Sequence, residues 1–77
     1  MAELGRHDRA HGTDYFATLR AWLEALGDPA EAGERLGVHE NTVRYRLRKM
    51  AEITNLPLDD AKKRLAMMIE LAATDID

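Results

Sequence analysis

Fourteen residues near the middle of the chain, Gly37-Val38-His39-Glu40-Asn41-Thr42-Val43-Arg44-Tyr45-Arg46-Leu47-Arg48-Lys49-Met50, leave little freedom in what the whole can become. On a 3.6-residue period Val43, Leu47, Met50 and Thr54 fall within about 60° of one another, the spacing of a helix face turned to a core. The opposite side carries Asn41, Tyr45, Arg48 and Glu52, with Arg44 and Lys49 on its shoulders and Arg46 nearer the apolar edge. Such a helix needs packing partners on one side only. The chain has 77 residues and no cysteine, so no disulfide or thiolate metal site can supplement a small core, which helix packing must build.

Residues 1–12 are polar and interrupted by Gly5 and Gly12, and read as a leader with a single helical turn; the remainder, 13–77, reads as one domain. Thr13 is placed to cap a helix over about 14–26, whose Tyr15, Leu19, Trp22, Leu23 and Leu26 recur as an amphipathic stripe. That spacing assigns Trp22 to the core rather than to an exposed stacking platform. Gly27 is expected to close the helix. Asp28-Pro29-Ala30-Glu31 is a strong start signal, because Asp28 can cap and proline suits the first helical position, where an N–H has no partner. The second helix is expected over about 29–36, with Ala32, Arg35 and Leu36 inward and Gly33 against another backbone. The third runs over about 40–53. Pro57 then forbids continuation, Leu56 and Leu58 are expected to pack under the turn, and Asp59 or Asp60 caps a last helix over about 61–73. There Leu65, Met68, Ile69 and Ala72 have the buried spacing, and Met67 and Leu71 fall partly outside it. The fold class is therefore all-α, a small bundle of about four main helices.

Between the second and third helices lies Leu36-Gly37-Val38-His39. Two helices crossing at about 90–120° need a turn of three or four residues in which one residue takes positive φ, and Gly37 supplies it. Val38 fits between the helices and His39 at the N-cap. A short helix, a glycine turn and a basic helix compose a helix-turn-helix. The formal net charge is −3, yet from Arg44 to Lys49 four of six residues are cationic, so the field is polarised. Asparagine and arginine pair bidentately with adenine and guanine edges in a major groove, which assigns Asn41 and Arg44 to bases. Thr42, Arg46, Arg48, Lys49 and the His39 end are assigned to phosphates, and Tyr45 to either. The partner expected is double-stranded DNA.

Other classes find less support. Serine is absent along with cysteine, and there is no paired-carboxylate site or glycine-rich phosphate cradle, so the chain does not read as an enzyme. No run of about 18 apolar residues occurs; no membrane span or secretory signal is expected, and a cytoplasmic location fits. His7 and His11 have a spacing that can share a metal on a helix, but nothing positions Asp8 or His39 as a third ligand, so neither metal nor cofactor is assigned. Lys62, Lys63 and Arg64 read as a solvated cluster. A rival from another class is a helical protein-interaction or dimerisation module that uses Met67, Leu71 and the acidic surface without touching DNA.

The run from His39 to Met50 resembles the signature of the C-terminal helix-turn-helix domain of PucR-type transcriptional regulators, a group that includes purine-catabolism and sugar-diacid regulators. The resemblance extends through Asp8, His11 to Asp14 and Thr18 to Leu23, and downstream through Leu56, Leu58 to Asp60 and Arg64 to Ala66. It implies that Asn41, Thr42, Arg44, Tyr45, Arg46 and Arg48 form a DNA face, and that an effector-sensing region belonging to such regulators is absent from this chain. The helix-turn-helix is also similar to that of Fis-like DNA-bending proteins, which implies a homodimer. Gly33 stands where the family usually has alanine and Gly37 where a larger residue is common, implying a looser second helix. Glu40 replaces what is often arginine, implying weaker phosphate attraction and a carboxylate suited to a cytosine amino group.

Overall fold

A computed structural model describes residues 2–54 and 60–75, and there the chain is helical without strands. Five helices follow in order: α1 Ala2–His11, α2 Tyr15–Glu24, α3 Pro29–Leu36, α4 Glu40–Thr54 and α5 Ala61–Asp75. The expectations for Leu56, Leu58 and Asp59 lie outside the described residues. Among those described, α2 is the helix that packs against all four others, and α5 rests on α2 alone. Leu19, Trp22 and Leu23 of α2 meet Leu4 of α1, Ala32 of α3, Val43 and Met50 of α4, and Met67 and Leu71 of α5. No described helix is long and apolar enough to cross a membrane.

The segment read as a leader is instead a helix that belongs to the core. Leu4 is fully buried, and the carboxylate of Asp8 caps α2 from outside it. Asp8 accepts the Tyr15 N–H and the Phe16 N–H, each at 2.9 Å, and the Thr13 hydroxyl donates to the same carboxylate. Thr13 is therefore not the cap. Asp14 occupies that position without a side-chain hydrogen bond. His7 stacks on Tyr15 with ring centroids 5.0 Å apart and meets the His11 ring at 4.4 Å in a tilted arrangement, at the α1–α2 corner.

Helix α2 stops two residues earlier than its apolar stripe implied. Leu26 and Gly27 both take positive φ, 56° and 86°, and Leu26 is 81% exposed rather than buried. Once the helical period ends at Glu24, its spacing from Leu23 no longer turns Leu26 inward. The start of α3 follows chain-local rules, with the Asp28 carboxylate accepting the Ala30 N–H at 2.9 Å and the Glu31 N–H at 3.4 Å. Ala32 and Gly33 are buried. Arg35 is not inward as expected; it is exposed, 3.8 Å from both Glu24 and Glu31.

The last helix is rotated from its expected phase. Met67 and Leu71 are buried, whereas Leu65 and Ile69 are 53% and 63% exposed. The face that meets α2 is Arg64, Met67, Met68 and Leu71, an i, i+3, i+4, i+7 stripe beginning with a charged residue. Arg64 fits there because its stem is apolar and its guanidinium lies 5.5 Å from the centre of the Trp22 ring. Asp60 caps this helix through the N–H groups of Lys62 and Lys63, at 2.9 and 3.1 Å.

Candidate nucleic-acid interface

Helix α4 is set by the turn before it. Gly37 takes φ 74° at the end of α3, and the Val38 N–H returns to the Gly33 carbonyl at 2.9 Å, closing the last turn in the manner of a left-handed cap. Val38 is half-buried against the core. Gly33 makes this closure possible. A Cβ on it would lie 2.6 Å from the Val38 carbonyl oxygen and 3.3 Å from the Glu40 nitrogen. Glycine here lets the second helix approach the turn as backbone against backbone.

His39 then opens α4. Its Nδ1 accepts the Asn41 N–H at 3.0 Å, and its carbonyl accepts the Thr42 and Val43 N–H groups at 2.9 and 3.3 Å. With Nδ1 accepting, the neutral ring carries its proton on Nε2. The exposed imidazole can therefore donate outward, although one N–H of the helix start is already spoken for.

Val43 and Met50 are fully buried and Leu47 packs beside them, so the opposite face points away from the bundle. Asn41, Arg44, Tyr45 and Arg48 are all exposed on it, and Thr42 and Lys49 are half-exposed at its edges. Arg44 Nη2 lies 2.9 Å from Glu40 Oε2, and Arg44 Nη1 donates to Asn41 Oδ1 at 3.3 Å. Lys49 sits 5.7 Å from the Tyr45 ring centre and 3.6 Å from Glu52. Arg48 is exposed and has no ion pair among the described residues.

Arg46 is not brought together with these side chains. It is half-buried, and its Nη1 donates at 3.1 Å to Thr18 Oγ1, whose own hydroxyl donates to the Asp14 carbonyl at 2.8 Å. A fully buried threonine hydroxyl needs such partners. Arg46 therefore ties α4 to α2. Sequence reasoning also missed the Glu40–Arg44 pair, which the i, i+4 spacing of opposite charges signals by itself.

The arrangement can present an amide, a phenol and guanidinium groups on one convex helix, positioned by a second helix across a glycine turn. That is the geometry by which such motifs enter a major groove.

The family model of the PucR C-terminal helix-turn-helix domain matches residues 15–73. Among curated relatives, the chain is 25% identical over its full length to the DNA-binding transcriptional activator AdeR of Bacillus subtilis (strain 168), covering 18% of that protein. It is 30% identical over 92% of its length to the proline-responsive transcriptional activator PutR of the same organism, covering 17% of it. It is 35% identical over 70% of its length to the carbohydrate diacid regulator of Escherichia coli (strain K12), covering 14% of it. The chain thus spans less than a fifth of the length of these relatives. No solved structure matches it. With its all-helical bundle, its glycine turn and a family match that runs from the first residue of α2 into α5, the chain belongs to the PucR C-terminal helix-turn-helix domain family.

Proposed function

We propose that this domain binds double-stranded DNA in a sequence-specific manner to regulate transcription, as the C-terminal part of a larger effector-responsive regulator in the cytoplasm. The observation that carries the reading is the exposure of Asn41, Arg44, Tyr45 and Arg48 on one face of α4, back to back with buried Val43 and Met50. The names of AdeR and PutR, a DNA-binding and a proline-responsive transcriptional activator, support it. Arg44 and Asn41 read base edges. Arg48, Lys49, Thr42 and the His39 ring hold phosphates, and Tyr45 serves at either. Arg46 acts from behind, by orienting the helix.

Fluorescence anisotropy of a random duplex at a series of salt concentrations tests this. The wild-type domain is expected to bind with a steep salt dependence. An Arg44→Ala, Arg48→Ala double variant should bind more than tenfold more weakly, with a log–log slope shallower by about one to two units. Equal affinity and slope for the two proteins would remove α4 as the DNA face.

The α5 surface favours a homodimer within that function. Leu65 and Ile69 are exposed, Leu65 at a groove it lines with Leu26, Arg64 and Met68, on a helix that has one neighbouring helix among the described residues. Antiparallel pairing of two copies along α5 buries this patch on both and sets Lys62 and Lys63 of each against the carbonyl end of the other helix, where cations are favoured. Sedimentation equilibrium of the wild type should reveal concentration-dependent dimers, lost in a Leu65→Glu, Ile69→Glu variant of unchanged helicity. Dimers that survive in the variant would point to another face. If the variant loses a protein partner but retains full DNA affinity, the patch is a protein-interaction surface instead.

A further inference from the structure

Glu40 stands at the start of the helix assigned to DNA, where a carboxylate is welcome to the helix dipole but unwelcome to a phosphate backbone. One of its oxygens is engaged. Oε2 lies 2.9 Å from Nη2 of Arg44, and Nη1 of the same guanidinium donates to Asn41 Oδ1 at 3.3 Å. Both terminal nitrogens of one exposed arginine are thereby held by the two residues that precede it on the face. A free arginine at a helix surface samples many rotamers, and ordering it on a base edge costs conformational entropy. Here that ordering is done before any DNA arrives. The guanidinium has five N–H donors, so three remain after these two contacts, and a guanine edge asks for two, at O6 and N7.

Resting on the DNA reading above, we infer that Glu40 is a specificity-determining positioning residue, which contacts no base itself but clamps Arg44 as the reader of a guanine. Asn41 completes the unit. It shares its Oδ1 with Arg44 and keeps its amide hydrogens for the neighbouring base pair, since an i, i+3 separation of about 4.5 Å along the helix exceeds the rise of one base pair, about 3.4 Å. The carboxylate lowers affinity for every sequence alike by repelling phosphate, and raises discrimination at one position. This differs from a carboxylate that reads cytosine, which accepts from the base with its own oxygen.

The inference is tested by selecting preferred sites from a random duplex pool with the wild-type chain, Glu40→Gln and Arg44→Ala, and by measuring each against random duplex. Wild type should select a guanine at one position. Arg44→Ala should lose that preference by about tenfold or more. Glu40→Gln should flatten the preference at the same position while binding random DNA about two- to fivefold more tightly at low salt, because a charge that opposed phosphate has gone. The melting temperature and helicity of Glu40→Gln should stay near wild type, since an exposed i, i+4 pair contributes little to stability. The Glu40→Gln, Arg44→Ala double variant should discriminate there no worse than Arg44→Ala alone. Retention of the guanine preference in Glu40→Gln overturns the inference, and so does a change confined to a different position, which would make Glu40 a base reader. Failure of the wild type to bind any duplex at low salt overturns the DNA reading itself.

Discussion

Gly33→Ala is expected to lower stability by about 1–2 kcal/mol, although a glycine-to-alanine change inside a helix ordinarily raises it by about 1 kcal/mol. The sign turns on what the new methyl group meets. Its nearest neighbour, at 2.6 Å, is the Val38 carbonyl oxygen, followed by the Glu40 nitrogen and the His39 carbonyl carbon. All three are backbone atoms of the turn, so no flexible side chain can yield. Overpacking of this kind costs about 1–3 kcal/mol, enough to exceed the propensity gain. Relief can come only by moving α3 away from the turn that aims α4. For a domain of this size the melting temperature should fall by about 5–15 °C, and DNA affinity should fall beyond what the unfolded fraction explains. Thermal unfolding followed by circular dichroism, with anisotropy measured well below the transition, checks both. A raised melting temperature would show that the turn gives way at little cost.

Replacing Asp8 with alanine should cost about 2 kcal/mol, from a residue that sequence reading placed outside the domain. The carboxylate satisfies the first two N–H groups of α2 and the Thr13 hydroxyl, and the loss of a helix cap alone is worth about 0.5–2 kcal/mol. It also fastens α1, whose Leu4 is buried among the other helices. The same contacts give a pH dependence. Burial pushes the Asp8 carboxyl up, but the Thr13 hydroxyl, the Phe16 and Tyr15 N–H groups and the nearby His7 outweigh it, so the group is held below its ordinary range. A carboxylate with a depressed folded-state pKa contributes stability that is complete above its unfolded-state value, near pH 4, and is lost as pH falls through the lower folded value. Denaturant midpoints measured from pH 6 down to pH 2 should decline in wild type, and less steeply in Asp8→Ala. Parallel declines would assign the acid sensitivity to other carboxylates.

Much of the site was legible because its determinants are local. The Asp28-Pro29 start, the Gly37 turn and the two-sided pattern from Asn41 to Met50 each act within one or two helical turns, and the structure expresses all three. The charge of Arg46 was equally legible, but its destination was not. Nothing near it in the chain announces that Thr18, 28 residues away, has a buried hydroxyl to receive it. Glu40 is the reverse case, a local pair that spacing alone could have found.

Periodicity also has a limit that α5 makes plain. Residues 65, 68, 69 and 72 and residues 64, 67, 68 and 71 are both stripes at helical spacing, and spacing alone does not choose between them. Packing chose the second, since only there can the apolar stem and the guanidinium of Arg64 lie over Trp22 while Met67 and Leu71 enter the core. The sequence by itself determined α3, the course of α4, the turn between them and the chemistry of the exposed face, because backbone caps, glycine φ and a 3.6-residue period are properties of neighbours in the chain. The tertiary structure alone decided that α1 joins the core, which face of α5 is buried, and that Arg46 serves the fold while Arg44 and Arg48 stay outside. Those choices depend on which surfaces meet once α2 has been surrounded, and contact between distant residues leaves no mark on the spacing of either.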